Sequence, residues 1–438
     1  MPSNAIRNKR NTIQSSAWQP KKKKSKIPLL IFSVCFLLCT MLYLFFWSKV
    51  HNNEHESSLR TRTLRRRDST VLSSERINQE NMKIVHATGV IEDANALLIV
   101  PSSDSHVDFL IHLAQLPSDE LKEKLETQDI FKTNLLLESC PFSEAPVWLP
   151  PSVPKKDRSA FVWYEHLSKA GGTSFCNMVQ DNMKKTEIPP YYCMPRDPEV
   201  PNDPDGRVGR WSNEKMEKYM KNHPSIRLVS NEWQPFPKER FQMKNMMTVT
   251  TLRHPLNRLV SAYHFWGILH NPEKAKPALP QWLHRTLIRS QGKDPQAWPF
   301  AVHIGRYNFL SWKFSNGTMP QGTVASDHNA FPLANIEIGW KASFTEAVEN
   351  LAKFDLVLIL ELMSHHSMEM MKRTLGWTNF KHNHVVPSGQ VENSHADKDL
   401  SPEQYDYLWD ANRFDMILYY WMKAVHLVKM QCGGLLEN

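Results

Sequence analysis

Beyond residue 68 the chain lacks any excess of basic charge. Of its 53 Lys and Arg residues, 14 lie within residues 1–68, against 3 acidic residues there; the rest of the chain holds 39 basic and 42 acidic side chains. The formal net charge of +8 therefore belongs to one tail, and the body does not read as a basic nucleic-acid-binding domain. Cysteine is sparse, 6 in 438 residues. Cys35 and Cys39 lie in an apolar run, leaving Cys140, Cys176, Cys193 and Cys432. These allow two disulfides in three pairings, which the sequence does not separate, or four buried free thiols. No internal repeat is present, and no nucleotide-triphosphate loop of the form G-x-x-x-x-G-K-[ST] occurs. Asp203-Pro204-Asp205 imitates a D-x-D metal motif. Its surroundings are Pro-rich and no apolar strand precedes it, so it reads as loop, and no metal is expected.

The chain does have one long apolar run. Ile27–Ser48 is 22 residues without a charge, long enough to cross a hydrocarbon core of about 30 Å. Lys21–Lys24 and Lys26 precede it, and Tyr43 and Trp47 lie towards its far end. It is too long for a usual signal core and no A-x-A-like site follows, so an uncleaved signal anchor is expected. The Lys cluster would stay cytosolic under the positive-inside rule, although Lys49, Arg60, Arg62 and Arg65–Arg67 on the other side work against it. The expected organisation is a cytosolic basic tail (1–26), a transmembrane signal anchor (27–48), a lumenal stem (49–156) and a catalytic domain (157–438). Within the stem, residues 49–81 are polar, Met82–Ser102 is β-like and Val107–Leu137 has helical periodicity. The last reads either as an accessory subdomain or as a stem helix for self-association. Pro141–Lys156 reads as a linker. Asn316-Gly317-Thr318 is the single N-glycosylation sequon and suits a lumenal loop.

In the body, strands are expected at Ala160–His166, Ile226–Ser230, Met246–Leu252 and Asp355–Glu361. Helices are expected at Thr173–Lys185, Asn213–Asn222, Pro255–Leu269, His365–Leu375 and Pro402–Lys429, with loops at Pro195–Gly209 and Asn271–Gln296. The alternation predicts an α/β layer fold, a mainly parallel sheet flanked by helices, with ligands at the carboxyl ends of the strands.

Two stretches carry chemistry. Phe161–Cys176 reads FVWYEHLSKAGGTSFC: strand, tight loop, helix start. Gly171 and Gly172 let the backbone turn and approach a ligand. Thr173 and Ser174 can cap the helix. The free N–H groups of a helix start, with Lys169 beside them, make an anion site. The second stretch, Met247–Trp266, reads MTVTTLRHPLNRLVSAYHFW. Here a strand ends at Arg253, Pro255 starts a helix, and Ser261 lies eight residues on. Arg offers a planar fork to a phosphate, and Ser adds a neutral hydrogen bond.

The first stretch resembles the 5′-phosphosulfate loop of sulfotransferases that use 3′-phosphoadenosine 5′-phosphosulfate (PAPS). The second, L-R-H-P-L-N-R-L-V-S-A-Y, resembles the 3′-phosphate motif of Golgi carbohydrate sulfotransferases, with His254 where that family often has Asp. The likeness is to the membrane-bound enzymes related to heparan sulfate 2-O- and 6-O-sulfotransferases. It covers roughly residues 160–380, including FDLVLILELMSHHSMEMMKRTLGW. The resemblance implies a P-loop-like three-layer fold and a single-pass type II Golgi protein. It also implies a 5′-phosphosulfate held by Lys169, Ala170, Gly171, Gly172, Thr173 and Ser174, and a 3′-phosphate held by Arg253 and Ser261. Lys169 would offset charge on the leaving phosphate. The family's base comes from the segment between the motifs, which points to Glu232; burial against Trp233 would make it the better proton acceptor, with His166 the alternative. The acceptor would be a glycan. Basic and aromatic residues between Trp282 and Trp312 (Trp282, His284, Arg285, Arg289, Trp298, His303, Arg306, Tyr307, Trp312) suit an anionic one. A type II glycosyltransferase, a P-loop kinase and a non-catalytic glycan binder are the competing classes.

Overall fold

Four parallel strands form the centre of the molecule, in the order β2-β1-β3-β4. They are β1 (Phe161–Glu165), β2 (Leu228–Asn231), β3 (Met246–Leu252) and β4 (Leu356–Ile359). Each falls inside or almost inside its expected range. β1, β2 and β3 are buried along their whole length, as parallel strands covered on both faces must be. Side chains alternate between the faces. Phe161 and Trp163 enter the core formed with the C-terminal helix, while Val162 and Tyr164 pack with Phe175 and Val179 on the other side. The result is a three-layer α/β arrangement. The structure is a computed structural model that describes residues 105–132, 140, 145–189, 193–195, 208–270, 276–291, 304–324, 326–381 and 395–432. The expected anchor at 27–48, the stretches 49–81 and Met82–Ser102, and Asp203-Pro204-Asp205 lie outside these residues. Among the described residues no helix is long and apolar enough to cross a membrane.

The main helices are, in chain order, α1 (His106–Gln115), α2 (Ser118–Glu126), α3 (Gly172–Asn182), α4 (Asn213–Asn222), α5 (Pro255–Ala262), α6 (Leu279–Gln291), α7 (Phe309–Phe314), α8 (Trp340–Ala352), α9 (Met368–Leu375), α10 (Pro402–Ala411) and α11 (Arg413–Cys432). Four expectations are corrected. Pro255–Leu269 is not one α-helix: it winds as α to Ala262 and as π over Tyr263–Leu269. Pro402–Lys429 breaks at Asn412, whose side chain is drawn into bonds with the backbone of Asn308 and Leu408. The Asn271–Gln296 loop contains α6, and Val107–Leu137 divides at Pro117 into α1 and α2. Both α1 and α2 share the main core with α11, through Leu110, Leu113 and Leu121. The cysteines resolve to one pairing, Cys140 with Cys432 and Cys176 with Cys193.

Strand order fixes where a ligand can sit. From β1 the chain moves to β2 on one side; from β3 it moves to β4 on the other. The loops leaving β1 and β3 therefore diverge, and a crevice opens between them at the carboxyl edge of the sheet. Glu165 is in register with Thr250, so the segments starting at His166 and at Arg253 emerge side by side.

Candidate active site

The loop after β1 is built from unusual backbone. Lys169 and Gly171 both have left-handed dihedrals, φ 68° and 87°. Gly171 is the N-cap of α3 and contributes no side chain to it. Thr173 and Ser174 therefore do not cap the helix; they stand inside its first turn, exposed and half-exposed. The first-turn N–H groups have no acceptor within a helix. A Cβ on Gly171 would meet Leu360 Cδ1 at 2.7 Å, and one on Gly172 would fall 1.7 Å from Nε2 of His166. Gly171 is thus needed for its dihedral, and Gly172 for the imidazole packed on it. Ala170 is buried beneath the loop.

Arg253 brings the two motifs together. It follows β3 directly, and its Nη1 donates to the carbonyl oxygen of Lys169 at 3.1 Å. The two proposed grips thus share one crevice. Burial lowers the pKa of the Lys169 ammonium, the neighbouring Arg253 lowers it further, and Glu232 opposes both. Arg253 is likewise lowered by burial, against the pull of Glu361 and Tyr419. Two half-buried cations crowded in this way are relieved by an anion, and a helix start beside them supplies further donors. The next residue, His254, is fixed through its own N–H, which donates to Glu361 Oε1 at 2.9 Å. Its ring lies edge-on to Tyr419 and Tyr420, and burial takes its pKa down to about 3. It is therefore a neutral packing residue.

α5 begins on Pro255, as expected. Ser261 is half-buried on its last turn. Arg258 is 4 % exposed, donates to the carbonyl of Ile304 and covers the Phe309 ring. The π turn after α5 shifts the following side chains, and Phe265 comes to lie 3.7 Å beneath the Lys169 ammonium. π segments of this kind often occur at functional sites.

Glu232 follows β2 and faces the same crevice. Its Oε2 is 3.6 Å from Nδ1 of His166, and its charge acts on both His166 and Lys169. His166 is 5 % exposed, stacks on Tyr164 and presses on Gly172. Burial lowers its pKa. Walled in by these contacts, the ring is suited to steadying Glu232. Beside Glu232, Trp233 meets Trp266 edge to face at 6.2 Å, and Trp266 continues into Phe265 and His270. This half-exposed aromatic band runs from Glu232 to Lys169.

Sequence reasoning missed Lys313, Glu165 and Glu361. Lys313 sits on α7, fully buried, with its ammonium 2.8 Å from Glu165 Oε1. Nothing local marks it. For Glu165 a signal existed: a carboxylate inside an otherwise apolar strand demands a partner. Most of the described basic and aromatic residues between Trp282 and Trp312 belong to the core, while Arg285 is exposed. Trp282, His284, Arg306, Tyr307 and Trp312 are all buried, the ring of Trp282 against Gly267 and Arg306 on the carbonyl of Met319. The Arg289 side chain, Trp298 and His303 lie outside the described residues.

Among the described residues no group of His, Cys, Asp and Glu is arranged to hold a metal ion. In comparisons with known proteins, the model of the sulfotransferase family matches residues 156–421, which holds all four strands and every crevice residue named above. No curated protein matches the chain.

Proposed function

The chain belongs to the sulfotransferase family and is a sulfotransferase enzyme; from that premise we propose that it transfers the sulfuryl group of PAPS to a glycan hydroxyl. The observation that carries this is the hydrogen bond from Arg253 to the Lys169 carbonyl, which brings a strand-end guanidinium and a helix-start loop to one place. The residues fit a doubly anionic nucleotide. Lys169 and the first turn of α3 would receive the 5′ end, and Arg253 with Ser261 the 3′-phosphate. The acceptor oxygen attacks sulfur, the sulfur–oxygen bond to the 5′-phosphate breaks, and the hydroxyl proton passes to a base. Glu232 takes that proton, His166 orients it, and Lys169 stabilises the departing phosphate. Positioning and charge do most of the work in such in-line transfers.

A sugar acceptor is supported by the aromatic band Trp233–Trp266–His270 beside Glu232, since ring faces pack well on the apolar faces of sugars. A Golgi lumenal setting is supported by the apolar run at 27–48, the two disulfides and Asn316. The last is exposed in the turn after α7 at φ 52°.

The test is the full chain in vesicles, given ³⁵S-labelled PAPS and either a glycan panel or a tyrosine peptide. Labelled glycan is expected, only after detergent opens the vesicles. Label on the peptide alone, or equal labelling without detergent, overturns the acceptor or the location. Lys169→Ala should remove transfer by about 10²-fold or more. Glu232→Gln should lower kcat by a similar factor while the KM for PAPS stays within about threefold.

A further inference from the structure

Lys313 is a fully buried cation beside the crevice, and no step above uses it. It lies on α7, more than 80 residues from the β2 turn and nearly 150 from β1. Its ammonium pairs with Glu165 Oε1 at 2.8 Å. It also donates to the carbonyl oxygens of Asn231 at 3.3 Å, Glu232 at 2.8 Å and Gln234. Three carbonyls of a single turn are thereby gathered on one charge, and the Glu232 carboxylate lies towards His166. Glu165 is held in turn by Trp163 Nε1 at 2.8 Å and Asn231 Nδ2 at 2.9 Å. The pair touches the backbone of both residues at the candidate proton-transfer centre, because His166 directly follows Glu165.

Stability alone does not account for this arrangement. A buried ion pair contributes little beyond what well-packed apolar residues would, while a buried charge stripped of its partner is strongly destabilising. A lone lysine reaching three carbonyls of one turn does, however, fix that turn's conformation.

We propose that Lys313 is a positioning residue for sulfuryl transfer: by gathering the carbonyls of Asn231, Glu232 and Gln234 it sets the turn that presents the Glu232 carboxylate to the acceptor. This rests on Glu232 being the base. Burial lowers the Lys313 pKa and raises that of Glu165, while each pulls the other back towards the charged form. The donors surrounding Glu165 favour the ionised pair.

The test is a cycle of variants of the full chain, read by kcat, by the KM for PAPS and by Tm. Lys313→Met alone strands Glu165, so it is also made with Glu165→Gln, which removes both charges. The double variant is expected to melt within a few degrees of the parent, with kcat reduced about 10²-fold and the KM for PAPS changed less than threefold. Adding Glu232→Gln to it should cost less than a further threefold, because the base is already misplaced. Full kcat in the double variant overturns the proposal, and so does a parallel rise in the KM for PAPS. A loss that multiplies with that of Glu232→Gln also overturns it, by showing that Lys313 acts elsewhere. The failure of the underlying reading looks different: Glu232→Gln on its own leaves kcat unchanged.

Discussion

The loop after β1 turns on its own backbone, whereas the turn after β2 is held from outside. In the first, two left-handed residues and a helix start without a side-chain cap make the shape, and Arg253 adds one hydrogen bond to the Lys169 carbonyl. In the second, no residue from Asn231 to Gln234 takes a left-handed dihedral. The shape there comes from Lys313 and Glu165, which belong to other elements. Under the function proposed above, the difference follows from what each would hold. A mobile anion needs free N–H groups, and these are what a glycine turn into a helix leaves open. A base needs one fixed direction, which is better imposed by a rigid scaffold than by a loop.

Arg253 is the first place to test this contrast, since its guanidinium is hydrogen-bonded to the backbone-built loop. Arg253→Ala should lower kcat/KM for PAPS by about 10²–10³-fold, because a charge-assisted phosphate contact is lost along with the support of Lys169. Ser261→Ala, removing a neutral hydroxyl, should cost about tenfold or less. Titration of PAPS binding to each variant checks both, and equal losses would mean that the phosphate is not where Arg253 sits. Next in size is the backbone itself. Gly172→Ala places a methyl in the His166 ring, so it should cost about 1–3 kcal/mol, and adding His166→Ala should return most of the Tm. If the double variant melts no higher than Gly172→Ala alone, the ring is not the obstacle.

A last effect concerns a residue outside both loops. His426 is buried, bonded through Nδ1 to the carbonyl of Val357, and burial takes its pKa from 6.5 down to about 4. The unfolded chain therefore binds a proton in a range where the folded one does not. Its contribution is complete above pH 6.5 and is lost as the pH falls towards 4. His426→Gln should flatten the fall of Tm over that interval, by no more than about 3 kcal/mol, and should leave PAPS affinity untouched. An unchanged slope would show that the histidine is charged in the folded protein.

These contrasts explain which parts the sequence could reveal. The strand, tight turn and helix start that carry Lys169 and the glycine pair, and the strand end and helix start around Arg253, were legible because those elements follow one another within a dozen residues. The four strands were readable because each carries a run of apolar and β-favouring residues, as parallel strands buried on both faces do. Lys313 was not, since a lysine on a short helix has no pattern to distinguish a buried clamp from a solvated side chain. The aromatic stretch from Trp282 to Trp312 misled for a related reason. Trp282 and Tyr307 point into the core, and the aromatic residues that flank Glu232 come instead from the β2 turn and from a π segment whose winding no periodicity announces. Asn412 broke a helix because Asn308, over a hundred residues away, engages its side chain.

The bond between Cys140 and Cys432 encircles every strand and all of the crevice, since the residues it joins are 292 apart. A protease that cuts once anywhere inside that ring leaves a single covalent molecule, and the severed ends cannot diffuse away from each other. The enzyme is in this sense hooped: a nicked copy would still keep both sides of its crevice in one body.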